Sequence, residues 1–550
     1  MSESEYWASI MRRRLSRRTL MQAGLATGIG LWAGSALGCG GSQETKGEPT
    51  PSNQPKQGGT VTVRADADAR GFDPHLETQT QASIHITKIY SGLMIWNRDS
   101  TELVPDLAQS YEQPDEVTYI FKLNQGVKWH NIPPVNGREL TAEDVKFSIE
   151  RMSTNQPGKF QHAYYFLGRI AKIDAVDKYT VRFTMNKPYA PFMAYIGSPW
   201  SKIVAREAVD KWGELTKSET MIGTGGFMLK SHTPNVELVV KRNPDYFKKG
   251  LPYLDEHVTR FIADPSTVTT MLLGGELDYA TIDSVDIERV KKAKPDYQII
   301  EGVSTNPFIF RTPPYDDKIP QKAPFDNKKV RQAILRAINK QEYIDVVYGG
   351  RGVQCVGMIA PDRQPWALPE SDQIKQDIPK AKQLMAEAGF PNGFKTDIIC
   401  PNMWYTVDCS QVAKGQLAKI GIDAEIKPIE VAQYYNVVYA YNYNLNMHNM
   451  TGSEEPTDYL APYYGSAATF YRWGNKELQQ KIAEQEGIVL DKEKRIKAIQ
   501  EIEHMIQDEA PMAPLFVVKY STFGKPSLRN FLPVWNNYQG YYATELWLSE

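Results

Sequence analysis

Cysteine is scarce. There are four in 550 residues, one of them at position 39, which leaves little for disulfide stapling or for thiolate metal sites. No Cys-x-x-Cys pair occurs, so a cysteine-bound metal cluster is not expected. Net charge is also lacking: 63 Lys and Arg against 65 Asp and Glu leave −2, without the basic footprint of a nucleic-acid binder. After residue 38 no apolar run is long enough to span a bilayer. His-Glu-x-x-His and Gly-x-Ser-x-Gly are absent. The glycine-rich "MIGTGGFMLK" (221–230) lacks the Lys-Ser/Thr of a phosphate loop and reads as a tight turn before a strand. The eight histidines are scattered, and His130 beside Trp129 reads as structural. No pattern calls for catalysis, a metal or a cofactor.

What is present begins at the N-terminus. Arg12, Arg13, Arg14, Arg17 and Arg18 precede a short Gly- and Ala-rich apolar run, Met21–Gly38, in the order of an export signal. Ser16-Arg17-Arg18-Thr19-Leu20-Met21 resembles a twin-arginine address. Ala36-Leu37-Gly38-Cys39 resembles a lipoprotein processing site, which would make Cys39 the lipid-bearing residue; the alternative is an uncleaved signal anchor. Residues 40–57 are rich in Gly, Pro, Ser and Gln and read as a flexible tether. The expected location is therefore outside the cytoplasm, tied to a membrane. Cys400 and Cys409 are close enough in sequence to pair there.

Length predicts two or three domains, since single cores stop growing at roughly 250–300 residues. Period-two alternation marks strands at "GGTVTV", "TYIFKL", "YTVRFTM" and "VELVVKR". Helices are expected after Thr141 as N-cap, from Ser266 to Gly274-Gly275, after Asp326 as cap, at 379–389, before Gly421, and twice within about 475–510. Strands and helices alternate, which predicts α/β layers with parallel sheets. Aromatic residues crowd 402–406, 432–450, 460–466 and 469–475, a pattern of core packing or of a cleft lined with stacking faces.

In order, "FDPH", "IYSGLMIWN", "LVPDLAQSYE", "LTAEDVKFSIERM", "IGTGGFMLK", "VVKRNPDYF", "FDNKKVRQAILRAINK", "AKQLMAEAGFPNGF" and "DEAPMAPLF" resemble the extracellular solute-binding proteins of the oligopeptide/dipeptide/nickel class (family 5), which feed ABC importers. The resemblance covers about 58–545. It implies an α/β fold of two lobes around a cleft, with an extra domain inserted in lobe I. Lobe I would comprise 58–97, 221–306 and 516–550, the inserted domain 98–220, and lobe II 307–515.

The implied function is capture of a peptide or other small polar solute and its delivery to a membrane permease and ATPase, by a monomer without cofactor, metal, nucleic-acid partner or enzymatic activity. The family's second-lobe strand and its acid-Pro pair correspond to "NLNMHNMTGSEEPTDYL" (444–460), with Glu455-Pro456 as that pair. The aspartate that holds a peptide's α-ammonium falls on Gly452, or on Ser453 if a residue is deleted, and the usual tryptophan on Asn449 or His448. The candidate ligand-binding residues are Asp68 and Phe72 of the loop 66–73, Arg311, Trp366, Trp404, Tyr405, Asn446, His448, Asn449, Met450, Thr451 and Gly452.

With the peptide aspartate gone, an oligosaccharide stacked on Trp404, Tyr405 or Trp366 and bonded by Asn446, His448 and Thr451 is the alternative, and a nickel chelate through His448 another. Outside transport, a surface sensor, a chaperone-like protein or a secreted hydrolase remain open.

Overall fold

Alternating Val61 and Val63 in Thr60–Ala65 point into a core, and this strand pairs in parallel with Glu256–Phe261. The computed structural model describes residues 54–154, 160, 162–403, 405–466, 468, 471–532 and 538–549. The expected export signal, tether, Cys39 and Trp404 lie outside them. No helix of the described residues is long and apolar enough to cross a membrane.

Among the described residues, twelve strands form one large sheet that runs through both halves of the molecule. Its organiser is the long strand Met512–Gly524. Residues 519–524 pair with Gln298–Val303, and 521–524 with Tyr279–Ile282 on the other side. The first part of the same strand pairs with Phe308–Arg311 and Gly352–Gln354. The boundary expected at 515/516 thus falls inside one continuous strand. The chain passes between the two halves at 304–307, and Ser304 N–H donates to Val518 O at 2.8 Å.

The sheet is mixed, which corrects the expectation of parallel sheets. Thr60–Ala65 and Lys395–Pro401 each make parallel pairs, whereas the pairs to Met512–Gly524 and between 227–233, 237–242 and 256–261 are antiparallel. Hairpin and return connections interrupt the β-helix-β rhythm, and an alternating sequence carries no record of strand direction. A separate antiparallel sheet, Ala108–Glu112, Thr118–Leu123, Thr180–Met185 and Ile170–Asp177, builds the inserted segment. Its core residues Phe121 and Phe183 are continuous with Val61, Ile86 and Ile222 of the first half.

Helix starts follow their caps. The helix Ala142–Met152 opens with Asp144 Oδ2 accepting the Thr141 N–H at 2.9 Å, while Arg138 forks onto the same carboxylate. The helix expected at Ser266 begins at Pro265, capped by Asp264. Asn327, not Asp326, caps Lys328–Ala337, its side chain accepting from Lys329 N–H. The glycine run at 223–226 exists for close approach: a Cβ on Gly223 would lie 2.0 Å from Ile89 O. The His130 ring is locked there, accepting from Gly223 N–H and bonded to Gly225 O, and burial pulls its pKa down to about 4. Cys355, Cys400 and Cys409 are buried free thiols, so Cys400 and Cys409 are not paired. Cys400 lies on a strand and Cys409 on the helix packed over it, both inside one apolar cluster.

Candidate functional site: a cavity between the lobes

The segment 451–459 grips the crossover between the two halves. Gly452 N–H donates to Asn306 Oδ1 at 2.7 Å, and Tyr459 Oη donates to Thr305 O at 2.9 Å. A Cβ on residue 452 would sit 1.9 Å from Thr305 O, so backbone contact alone demands glycine here. An aspartate cannot stand at 452.

Ser453 does not leave the site uncharged. Its Oγ donates to Asp458 Oδ2 at 2.6 Å, and Tyr195 Oη, from the helix Phe192–Ile196, donates to Asp458 Oδ1 at 2.7 Å. Glu455 turns the other way, into a buried ion pair with Arg495, and accepts from Thr457 N–H at 3.0 Å.

These groups border a cavity of about 460 Å³, within the roughly 300–1,000 Å³ usual for small-molecule sites. One wall comes from the first half and its insert: Trp96, His162, Tyr164, Tyr165, Tyr195 and Trp200. The Tyr165 and Tyr195 rings stack at 3.9 Å, and His162 stacks on Trp200 at 5.0 Å. The facing wall comes from the second half: Arg311, Tyr435, Tyr439, His448, Glu454 and Asp458.

Electrostatics follow from burial. It pushes the Asp458 carboxyl up to about 7, assisted by Glu455 and Glu454 and opposed by the bonds from Ser453 and Tyr195. Burial also raises Glu454, against the Arg363 charge. His162 and His448 are pulled down to about 3, mainly by burial and, for His448, by neighbouring Arg311. Both rings are therefore neutral near pH 7. Arg311, 2 % exposed, lies over the Tyr443 and Tyr471 rings and hydrogen-bonds the Tyr434 side chain. Among the described residues, no group of three or more His, Cys, Asp or Glu is placed to hold a metal ion.

Arg311, His448, Asn449, Thr451 and Gly452 come together on this cavity. The other residues expected there go elsewhere. Asp68 accepts from His232 and from Asn235 N–H, and Phe72 is wedged edge-on against the His85 and His232 rings. Trp366 lies under Lys492 and Arg495. Asn446 is fully buried and accepts from Tyr434 Oη; Met450 is core, its N–H donating to Pro307 O. Tyr405 reaches a second crevice, where its hydroxyl donates to Asp283 Oδ2 at 3.0 Å. The wall 162–200 escaped sequence reasoning; its one signal was the aromatic pair in "HAYYF" and the Trp of "GSPW".

The pattern described as bacterial extracellular solute-binding proteins, family 5, matches residues 102–471. The heme-binding protein A of Haemophilus influenzae is 29% identical over 477 residues, covering 81% of this chain and 84% of that protein. The dipeptide-binding protein of Escherichia coli is 27% identical over 503 residues, covering 86% and 91%. The periplasmic binding protein DppA of Helicobacter pylori, solved with the peptide STSA, superposes with a TM-score of 0.76 at 26% identity, over 90% of this chain and 99% of that one. With its two lobes and interlobe cavity, the chain belongs to the family 5 bacterial extracellular solute-binding proteins, and it is the substrate-binding component of an ABC importer.

Proposed function

We propose that the cavity between the lobes captures a short peptide or similarly sized polar solute and that lobe closure buries it for hand-over to the permease and ATPase. The observation that carries this reading is the joint lining of one cavity by Arg311, Glu454 and Asp458 together with tyrosines from both walls. Opposite charges fix the orientation of a polar solute, and aromatic faces accept its apolar parts. The relatives named for a dipeptide and solved with a peptide support the class.

The lobes proposed are 58–97, 221–306 and 516–550 for the first, 98–220 for its insert and 307–515 for the second, closing about the crossover at 304–307. A twin-arginine signal, the tether 39–57 and a lipid on Cys39 would hold the monomer at the membrane. The chain acts by binding, not turnover. An oligosaccharide fits less well, because Trp366 and Tyr405 are engaged elsewhere.

The test is thermal unfolding of the full chain with di- to pentapeptides and with oligosaccharides. A ligand at 100 times its dissociation constant adds about 2.7 kcal/mol of stability, which raises the Tm visibly. Peptides are expected to raise it; a response confined to oligosaccharides would overturn the reading.

A further inference from the structure

The crevice that holds the Tyr405–Asp283 bond encloses about 180 Å³ and shares no lining residue with the solute cavity. Three cationic side chains border it. Arg64 comes from the first half, Arg351 from the second, and Lys519 from the strand Met512–Gly524 that both halves share. One carboxylate borders it, Asp283, and that group is already engaged: Tyr405 Oη donates to Oδ2 at 3.0 Å and Val285 N–H to Oδ1 at 3.3 Å.

The protein itself matches these cations poorly. Among the described residues, neither Arg64 nor Lys519 forms an ion pair. Arg64 Nε donates to Ile262 O at 2.9 Å. Asp66, whose charge reaches Arg64, is held by the Gln81 amide instead, and burial lowers the Arg64 pKa. Arg351 does pair with Glu301, Nη2 to Oε1 at 3.2 Å, but that carboxylate is 43% exposed, and Arg351 Nε is buried with no hydrogen-bond partner among the described residues. A desolvated guanidinium without a counter-charge is costly, and an anion from outside removes the cost. The guanidinium fork matches the oxygens of a carboxylate or a phosphate.

We propose that this crevice is a second ligand site, for a small dianion (a phosphate or a short dicarboxylate) that ties the two halves together. Its volume lies below the roughly 300–1,000 Å³ usual for small-molecule sites, so the occupant is smaller than the solute. Arg64 and Arg351 stand on opposite halves, so a dianion held by both binds best when the halves are together. Occupation of the crevice and closure on the solute then reinforce each other, whatever the solute is.

The experiment is calorimetry and thermal shift of the full chain with inorganic phosphate and with succinate, at constant ionic strength set by sodium chloride. Saturable binding of at least one of them is expected. Phosphate alone assigns the site to phosphates, succinate alone to dicarboxylates, and both to dianions at large. Arg64→Gln is expected to weaken binding roughly tenfold or more. Lys519→Gln, a change at a half-buried position, should also weaken it and serves if the first variant does not fold. Thr451→Trp, which fills the solute cavity, should leave dianion binding unchanged. Small-angle scattering should show a smaller radius of gyration with the bound dianion in wild type. No saturable binding, equal affinity in wild type and both crevice variants, or loss in Thr451→Trp overturns the site. Binding without compaction overturns its role in tying the halves. None of these outcomes bears on solute capture, which the peptide series tests separately.

Discussion

Tyr195 and Asp458, 263 residues apart, are joined by a 2.7 Å hydrogen bond that links the inserted segment to the second half of the molecule. Tyr405 and Asp283 make a second bond of the same kind at 3.0 Å, with tyrosine and aspartate exchanged between the halves. Each is a hydroxyl donated to a carboxylate, and neither survives separation of the lobes. Tyr195→Phe should weaken solute binding by about 1.5 kcal/mol, the lower end for bonds to charged groups. Tyr405 is 45% exposed, so Tyr405→Phe should cost no more than about 1 kcal/mol. Small-angle scattering of the ligand-loaded variants should show a larger radius of gyration than wild type when ligand is subsaturating.

Gly452 is set by contact with Thr305 and not by a left-handed backbone. Gly452→Ala forces its methyl against the Thr305 carbonyl, and the flexible end of no side chain is available to yield. The cost expected is about 1–3 kcal/mol, as for overpacked cores. Urea unfolding measures it, and solute affinity should fall as well because the segment 451–455 is displaced.

The Glu455–Arg495 pair is 5% and 7% exposed in its side chains. Removing one partner strands a buried charge, at about 3–5 kcal/mol. Glu455→Gln should therefore lower the urea midpoint strongly, and the double change Glu455→Gln with Arg495→Met should recover part of the loss.

Glu503 gives a pH-dependent prediction. Burial pushes its carboxyl up to about 8, although Oε2 accepts from Met358 N–H at 2.6 Å. A carboxyl raised in the folded state binds more protons there than in the unfolded chain, whose value is about 4.3. Its contribution to stability is then greatest at low pH and is lost as pH rises from about 4 to 8. Glu503→Gln, which cannot ionise, should be costlier relative to wild type at pH 5 than at pH 8. Urea midpoints of both proteins at the two pH values decide it.

Much of the frame was legible because it is local. Val61 and Val63 alternate as a half-buried strand must, and Thr141 with Asp144 announces a helix start within four residues. Asn327 outcompeted Asp326 because the cap depends on which residue holds an extended backbone, a matter of the preceding turn. Strand direction was not legible, since either direction satisfies the same alternation. In the site, Arg311, His448 and Asn449 could be found because two adjacent strands, Phe308–Arg311 and Leu445–Asn449, deliver them together. Asn446, on the same strand as His448, was misjudged, as it is fully buried and engaged by Tyr434. Asp458 was not singled out within the stretch 444–460; its partner Tyr195 lies 263 residues away, where no spacing rule reaches.

The most direct measurement is native mass spectrometry of the full chain after exposure to a mixture of di- to tetrapeptides, beside Thr451→Trp. Thr451 is exposed at the rim of the cavity, so the larger side chain fills space without entering the core. Wild type should retain one small added mass, released on unfolding, and Thr451→Trp should retain none. Added mass of equal amount on both proteins, or none on wild type, would contradict capture of a small polar solute in the interlobe cavity.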